Sequence, residues 1–189
     1  MKNKIAALIA VLLPLMIVLF AHGANAQANS PSDPAAIGAP VKSLLELGSV
    51  YPSLYDITVT VLETVRGDEA MRRLRAADGA VKPPKAGFEY LLARVKFEMK
   101  RRSISDKLTF NLGSSPLQWV AFTSDMAEYE GVAVTVPKPE LKGTVRPDQT
   151  REGWLSFAVE QKEKKPVLVF DPDSGGATGR GKPLFFRLY

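Results

Sequence analysis

The chain has 189 residues, 25 Lys+Arg against 20 Asp+Glu, no cysteine and one histidine, His22. His22 falls in a segment that reads as a removable export signal, so the working protein would carry neither imidazole nor thiol. That excludes Ser–His, Cys–His and imidazole–zinc chemistry, and the small positive excess does not argue for nucleic acid as a partner.

The N-terminus begins Met1-Lys2-Asn3-Lys4, continues as an apolar run from Ile5 to Phe20 and closes on Ala24-Asn25-Ala26. A basic start, a hydrophobic centre and a small-x-small site are the parts of a secretory signal, which predicts residues 1–26 as signal peptide with the cut before Gln27. The run is shorter than the roughly 20 residues that span a bilayer, and Pro14 interrupts it; an uncleaved anchor is the alternative. No cysteine follows for lipid attachment. Cleavage removes Lys2 and Lys4, so Lys+Arg falls from 25 to 23 against 20 acids and the charge from +5 to +3.

Residues 27–48 read as a flexible tether. Gln27–Pro40 is rich in Ala, Ser, Asn and Pro without apolar periodicity, Val41–Leu47 suits a helical turn or a short strand, and Gly48 marks entry to a domain over 49–189. From there the pattern has period two. Ile57, Val59 and Val61 alternate with threonines. Leu91, Ala93, Val95, Phe97 and Met99 alternate with Leu92, Arg94, Lys96, Glu98 and Lys100, which predicts a strand with one apolar and one mostly charged face. Further strands are predicted at Leu108–Leu112, Leu117–Thr123, Val132–Val136, Trp154–Val159, Val167–Phe170 and Leu184–Tyr189. One segment departs from this: Asp68–Ala77 places Ala70, Met71, Leu74 and Ala77 at helical spacing, with acids first and arginines after. The expected fold is therefore all-β, an immunoglobulin-like antiparallel sandwich with one short helical excursion near 68–77.

Two stretches carry a family likeness. Lys82-Pro83-Pro84-Lys85-Ala86-Gly87-Phe88-Glu89-Tyr90 running into LLARVKF, and Gly143-Thr144-Val145-Arg146-Pro147-Asp148-Gln149 followed by Gly153-Trp154-Leu155-Ser156-Phe157, resemble the corresponding motifs of DUF4352-type bacterial exported domains. The late VLVFDP matches the family's closing strand. The resemblance covers roughly Gly48 to Phe170 and implies a telokin-like, immunoglobulin-like sandwich in a secreted protein or lipoprotein without established enzymatic activity. Asp148 stands where the family turn carries glycine, and the lipoprotein cysteine is missing. Independently of the likeness, Pro147 and Asp148 suit a turn, and Gly153 marks a strand position where a neighbour comes close.

The remaining candidates are weaker. Asp171-Pro172-Asp173-Ser174-Gly175-Gly176 opens like a calcium loop, but Lys182 occupies the position of the bidentate Glu; a turn between strands is the plainer reading. Met71, Met99 and Met126 are too dispersed in sequence for copper. No Ser–Lys pair is fixed by spacing. Glu128 and Glu130 flank Tyr129 on one solvent-facing side. Arg66-Gly67-Asp68 spells an integrin tripeptide without context. Two basic clusters, Arg72, Arg73 and Arg75, and Lys100, Arg101 and Arg102, are placed to meet anionic polymers, although acids nearby in sequence can neutralise them. Trp154 faces away from Leu155 and Phe157, either as an exposed anchor or under a covering segment.

Seven residues, Arg72, Arg73, Arg75, Lys100, Arg101, Arg102 and Trp154, are the expected interaction surface of a non-enzymatic exported module. The partner expected is an envelope protein or an anionic envelope polymer, with no cofactor and no stable membrane span after cleavage. A calcium-stabilised structural domain and a hydrolase using Asp, Glu, Ser and Lys are the alternatives.

Overall fold

The computed structural model describes residues 29–174 and 179–189. The signal, its cleavage site and His22 lie outside them, as do Gly175 and Gly176 of the calcium-like loop. The fold is the all-β antiparallel sandwich expected, with one short helix. In chain order the strands are β1 (Val41–Leu47), β2 (Ser53–Arg66), β3 (Phe88–Arg101), β4 (Phe110–Leu112), β5 (Trp119–Phe122), β6 (Gly143–Val145), β7 (Gln149–Glu160), β8 (Val167–Phe170), β9 (Gly179–Arg180) and β10 (Leu184–Arg187), with helix α1 (Gly67–Ala77) between β2 and β3.

A five-stranded sheet in the order β7-β3-β2-β1-β9 faces a three-stranded sheet, β10-β8-β5, and a β4-β6 ribbon closes one corner. The period-two pattern of β3 decides which face is inside. Leu91, Ala93, Val95, Phe97 and Met99 are excluded from water together with Phe157 and Val159 of β7. They meet a cluster in which Phe97 packs on Phe110 at 5.7 Å and on Phe170 at 5.8 Å, while Trp119 lies 4.3 Å from Phe170, centroid to centroid. Offset and edge contacts of this kind add to what burial alone contributes.

The other face of the large sheet carries a second, smaller core. Tyr90, Leu92 and Trp154 lie beneath Ala70 and Leu74 of α1 and beneath Val132, Val134 and Val136. α1 follows β2 directly, and its first turn holds Asp68 and Glu69 where the helix dipole favours negative charge. Its end is closed by the Asp78 amide donating to the Leu74 carbonyl at 2.8 Å.

Two expectations need correction. The folded body includes residues well before Gly48, Asn29 and Ala35 among them. Ala35 donates to Phe185 at 2.9 Å and accepts from Arg187 at 2.8 Å, and the Asn29 side-chain amide brackets Phe185 through both its oxygen and its nitrogen. Val41–Leu47 pairs along its whole length with β2, and Leu45 and Leu47 are buried. Composition rich in Ala and Pro lowers the chance of an independent element, but it does not stop a segment from docking on an existing sheet edge.

The second correction concerns Val132–Val136. This segment is extended and alternates in burial as expected, yet it is not a strand. Gly131–Val136 makes no backbone hydrogen bond among the described residues. It wraps as a strap from β5 over the side of β7, held by its valines and by the Thr135 hydroxyl donating to Asp78 at 3.2 Å.

Candidate functional site

The two basic clusters occupy opposite ends of the β2–β3 pair. Arg66, where α1 begins, is in register with Leu91, and Tyr55 with Arg101. Ten residues of strand separate them, about 33 Å at the usual rise. Most of these charges are also engaged locally. Arg72 and Arg73 both grip Glu69, and Arg73 reaches Glu63 at 2.9 Å. Arg101 binds Asp148 at 2.5 Å, and Arg102 lies 3.6 Å from Asp56. Arg75 and Lys100 are exposed. The guanidinium hydrogen bonds of Arg72 and Arg73 hold the Glu69 carboxyl down to about 2. The Arg101 backbone amide lowers that of Asp148, whose φ of 62° is the left-handed turn that glycine fills in the resembled motif.

Trp154 is not a surface anchor: only 7% of it is exposed. Its ring lies under α1 and the strap, with the Arg73 guanidinium carbon 5.3 Å above it. The seven residues therefore do not make one surface; Arg72 and Arg73 share Glu69, and of the six basic residues Arg73 is the one recorded over the Trp154 ring, at the rim of the smaller core. Arg66 of the tripeptide is tied to Glu89 and to the Glu163 carbonyl at 2.9 Å. Glu128 and Glu130 are exposed on either side of buried Tyr129. In the calcium-like loop, Asp171 accepts from the Asp173 amide and the Ser174 hydroxyl, closing a turn on itself.

An open feature of the molecule is the side of β7 away from β3; the sequence marked a close approach at Gly153 but not the unpaired backbone beyond it. Backbone groups of an antiparallel strand point alternately to its two neighbours. Gln161 donates to Gly87 at 3.0 Å on the β3 side, whereas Trp154 donates to Pro139 at 2.9 Å and accepts from Leu141 at 3.1 Å on the other. The even residues of β7 therefore face outward. Glu140 and Leu141 reach Trp154 because Gly153 has no side chain; a Cβ there would come within 3.0 Å of their backbone. Beyond Trp154 the edge is bare. Neither the N–H nor the C=O of Ser156 or Ala158 has a partner among the described residues.

Two hollows flank the strap at this edge. Ser156 lines a cleft of about 430 Å³ that opens between β5 and β7, walled by Trp119, Tyr129, Val134, Leu141 and Phe157. Ala158 lines a second, of about 290 Å³, with Pro83, Phe88, Tyr90 and Val132. The indole Nε1 of Trp119 and the hydroxyl of Tyr129 are buried in the cleft wall without a hydrogen-bond partner among the described residues. The Glu160 amide is near the Tyr129 hydroxyl but makes no bond of ordinary geometry, and burial pushes that phenol above its usual range. Unpaired buried donors are uncommon in folded proteins. The charged side chains at the mouth of the cleft, Glu128, Glu140 and Lys142, are exposed. Among the described residues no group of three or more carboxylates is arranged to hold a metal ion, and no helix is long and apolar enough to cross a membrane.

No protein-family model and no curated protein matches the sequence. Among solved structures, the chain is similar to the candidate lipoprotein ycdA from Bacillus subtilis, with 16% identity, a TM-score of 0.44, and coverage of 69% of this chain and 36% of that one. It is also similar to the yjhA protein from Bacillus subtilis, with 16% identity, a TM-score of 0.45, and coverage of 75% of this chain and 86% of that one.

Proposed function

We propose that this chain is an exported, non-enzymatic interaction module of the bacterial cell envelope or extracellular space, and that its partner docks along the open side of β7. The export reading rests on the N-terminal signal pattern and on the resemblance to bacterial exported domains. The observation that carries the docking reading is the cleft between β5 and β7: concave, mostly apolar, and walled by two aromatic side chains with unspent polar groups. Its charged groups stand at the mouth, where solvent screens them, and do not converge inside as acid–base catalysis requires.

In situ photo-crosslinking tests this reading. A photoreactive residue at Leu117, exposed at the cleft, is expected to give a discrete adduct in the producing cell's envelope or medium; the same residue at Ile104, exposed on a distant loop, is expected to give none. Indistinguishable patterns from the two positions, or a chain starting at Met1 in the cytoplasmic fraction, would contradict it.

A further inference from the structure

The bare edge of β7 defines the chemistry of what can dock there. Ser156 and Ala158 each offer one N–H and one C=O, two residues apart on one line, next to hollows on both sides of the sheet plane. Among small and large ligands, an extended polypeptide presents donors and acceptors at this repeat. We propose that the cleft binds an extended peptide segment of a partner protein by strand addition to β7, with main-chain hydrogen bonds at Ser156 and Ala158; this rests on the docking reading above and names its ligand class.

The side chains follow from the alternation. One set of the added strand's residues would enter the cleft against Trp119, Leu141 and Phe157, and the other would lie over Val132 and Tyr90. Apolar side chains suit both. Main-chain bonds give affinity in this mode and the alternate pockets give selectivity.

The strap explains why the edge is not simply a liability. Exposed edges invite indiscriminate pairing, and proteins usually cover them. Here Gly131–Val136 lies across the edge without bonding to it. Its valines grip Trp154 and the smaller core, so it flanks the edge and narrows the approach while leaving the backbone groups of Ser156 and Ala158 available to an incoming segment.

The test is selection of a random linear dodecapeptide library displayed on phage against the mature chain, followed by amide exchange. The expected result is enrichment of peptides with apolar residues at alternate positions, which slow exchange at Ser156 and Ala158 by roughly tenfold or more. N-methylation of alternate amides in the best peptide should weaken binding by about tenfold or more, since it removes main-chain donors and leaves the side chains. Ala158→Pro, which deletes one outward N–H and is tolerated on an edge, should do the same; because it can perturb the fold, the N-methylated peptide is the control on an unaltered chain. Failure to enrich any peptide, or enriched peptides that leave both amides at their free rates or bind equally well when N-methylated, overturns strand addition. Adducts confined to Leu117 would then still support the broader docking reading, and their absence would remove both.

Discussion

The two faces of the β3–β7 pair are buried by different means. Inside, Leu91 to Met99 and Phe157 meet a second hydrogen-bonded sheet, and almost nothing there touches water. Outside, Tyr90, Leu92 and Trp154 are covered by one helix and an extended strap with no backbone hydrogen bonds among the described residues. A face closed by a paired sheet is fixed in register at every residue. A face closed by a strap holds wherever a side chain grips and is open wherever none does, and that difference leaves a cleft beside β7.

The largest expected effects fall on the inner face. Phe97→Ala removes the ring shared by Phe110 and Phe170 and should cost about 3–5 kcal/mol in urea unfolding. Gly153→Ala attacks the point where Pro139 and Leu141 are hydrogen-bonded to Trp154 on the outer edge. It forces the backbone of Glu140 and Leu141 away and should cost roughly 2–3 kcal/mol, with faster exchange of the Leu141 amide. Val134→Ser acts on the strap alone. Val134 is only partly buried, so the loss should stay below about 1.5 kcal/mol while peptide binding at Ser156 tightens; an equally large loss from Val134 and Phe97 would mean that the outer face is as firmly built as the inner.

The smallest effect is electrostatic. Glu69 has its carboxyl held at about 2 by Arg72 and Arg73, against 4.5 when unperturbed. The folded state then binds fewer protons than the unfolded one across that window. Stability from this group is present above about 4.5 and is lost as pH falls through about 2. Glu69→Gln should flatten the acid side of the melting profile slightly, and salt should shrink the difference because the site is exposed.

What was legible in the sequence follows the same division. The alternation in β3 identified its inner face because burial against a facing sheet imposes period two at every residue. The same period in Val132–Val136 suggested a strand, because alternation reports which side chains are covered and carries no information about whether backbone groups find a partner. Trp154 was ambiguous because its cover comes from α1 and the strap, both distant in sequence. Gly153 did signal a close approach, but not by which residues. Ala35 and Asn29 sit in a composition that resembles a linker, and only the free edge of β10 gives them a place. Ser156, although inside the resembled motif, and Ala158 carry no signal of an open edge: their importance lies in what fails to pair with them.

Amide hydrogen exchange along β7 in the free chain tests the central claim most directly. Leu155 and Phe157 donate into the β3 ladder, whereas Ser156 and Ala158 face the cleft edge. The account predicts a sawtooth, with Ser156 and Ala158 exchanging roughly a hundredfold or more faster than their two neighbours. Uniform protection of all four amides would show that the edge is already paired, and would contradict it.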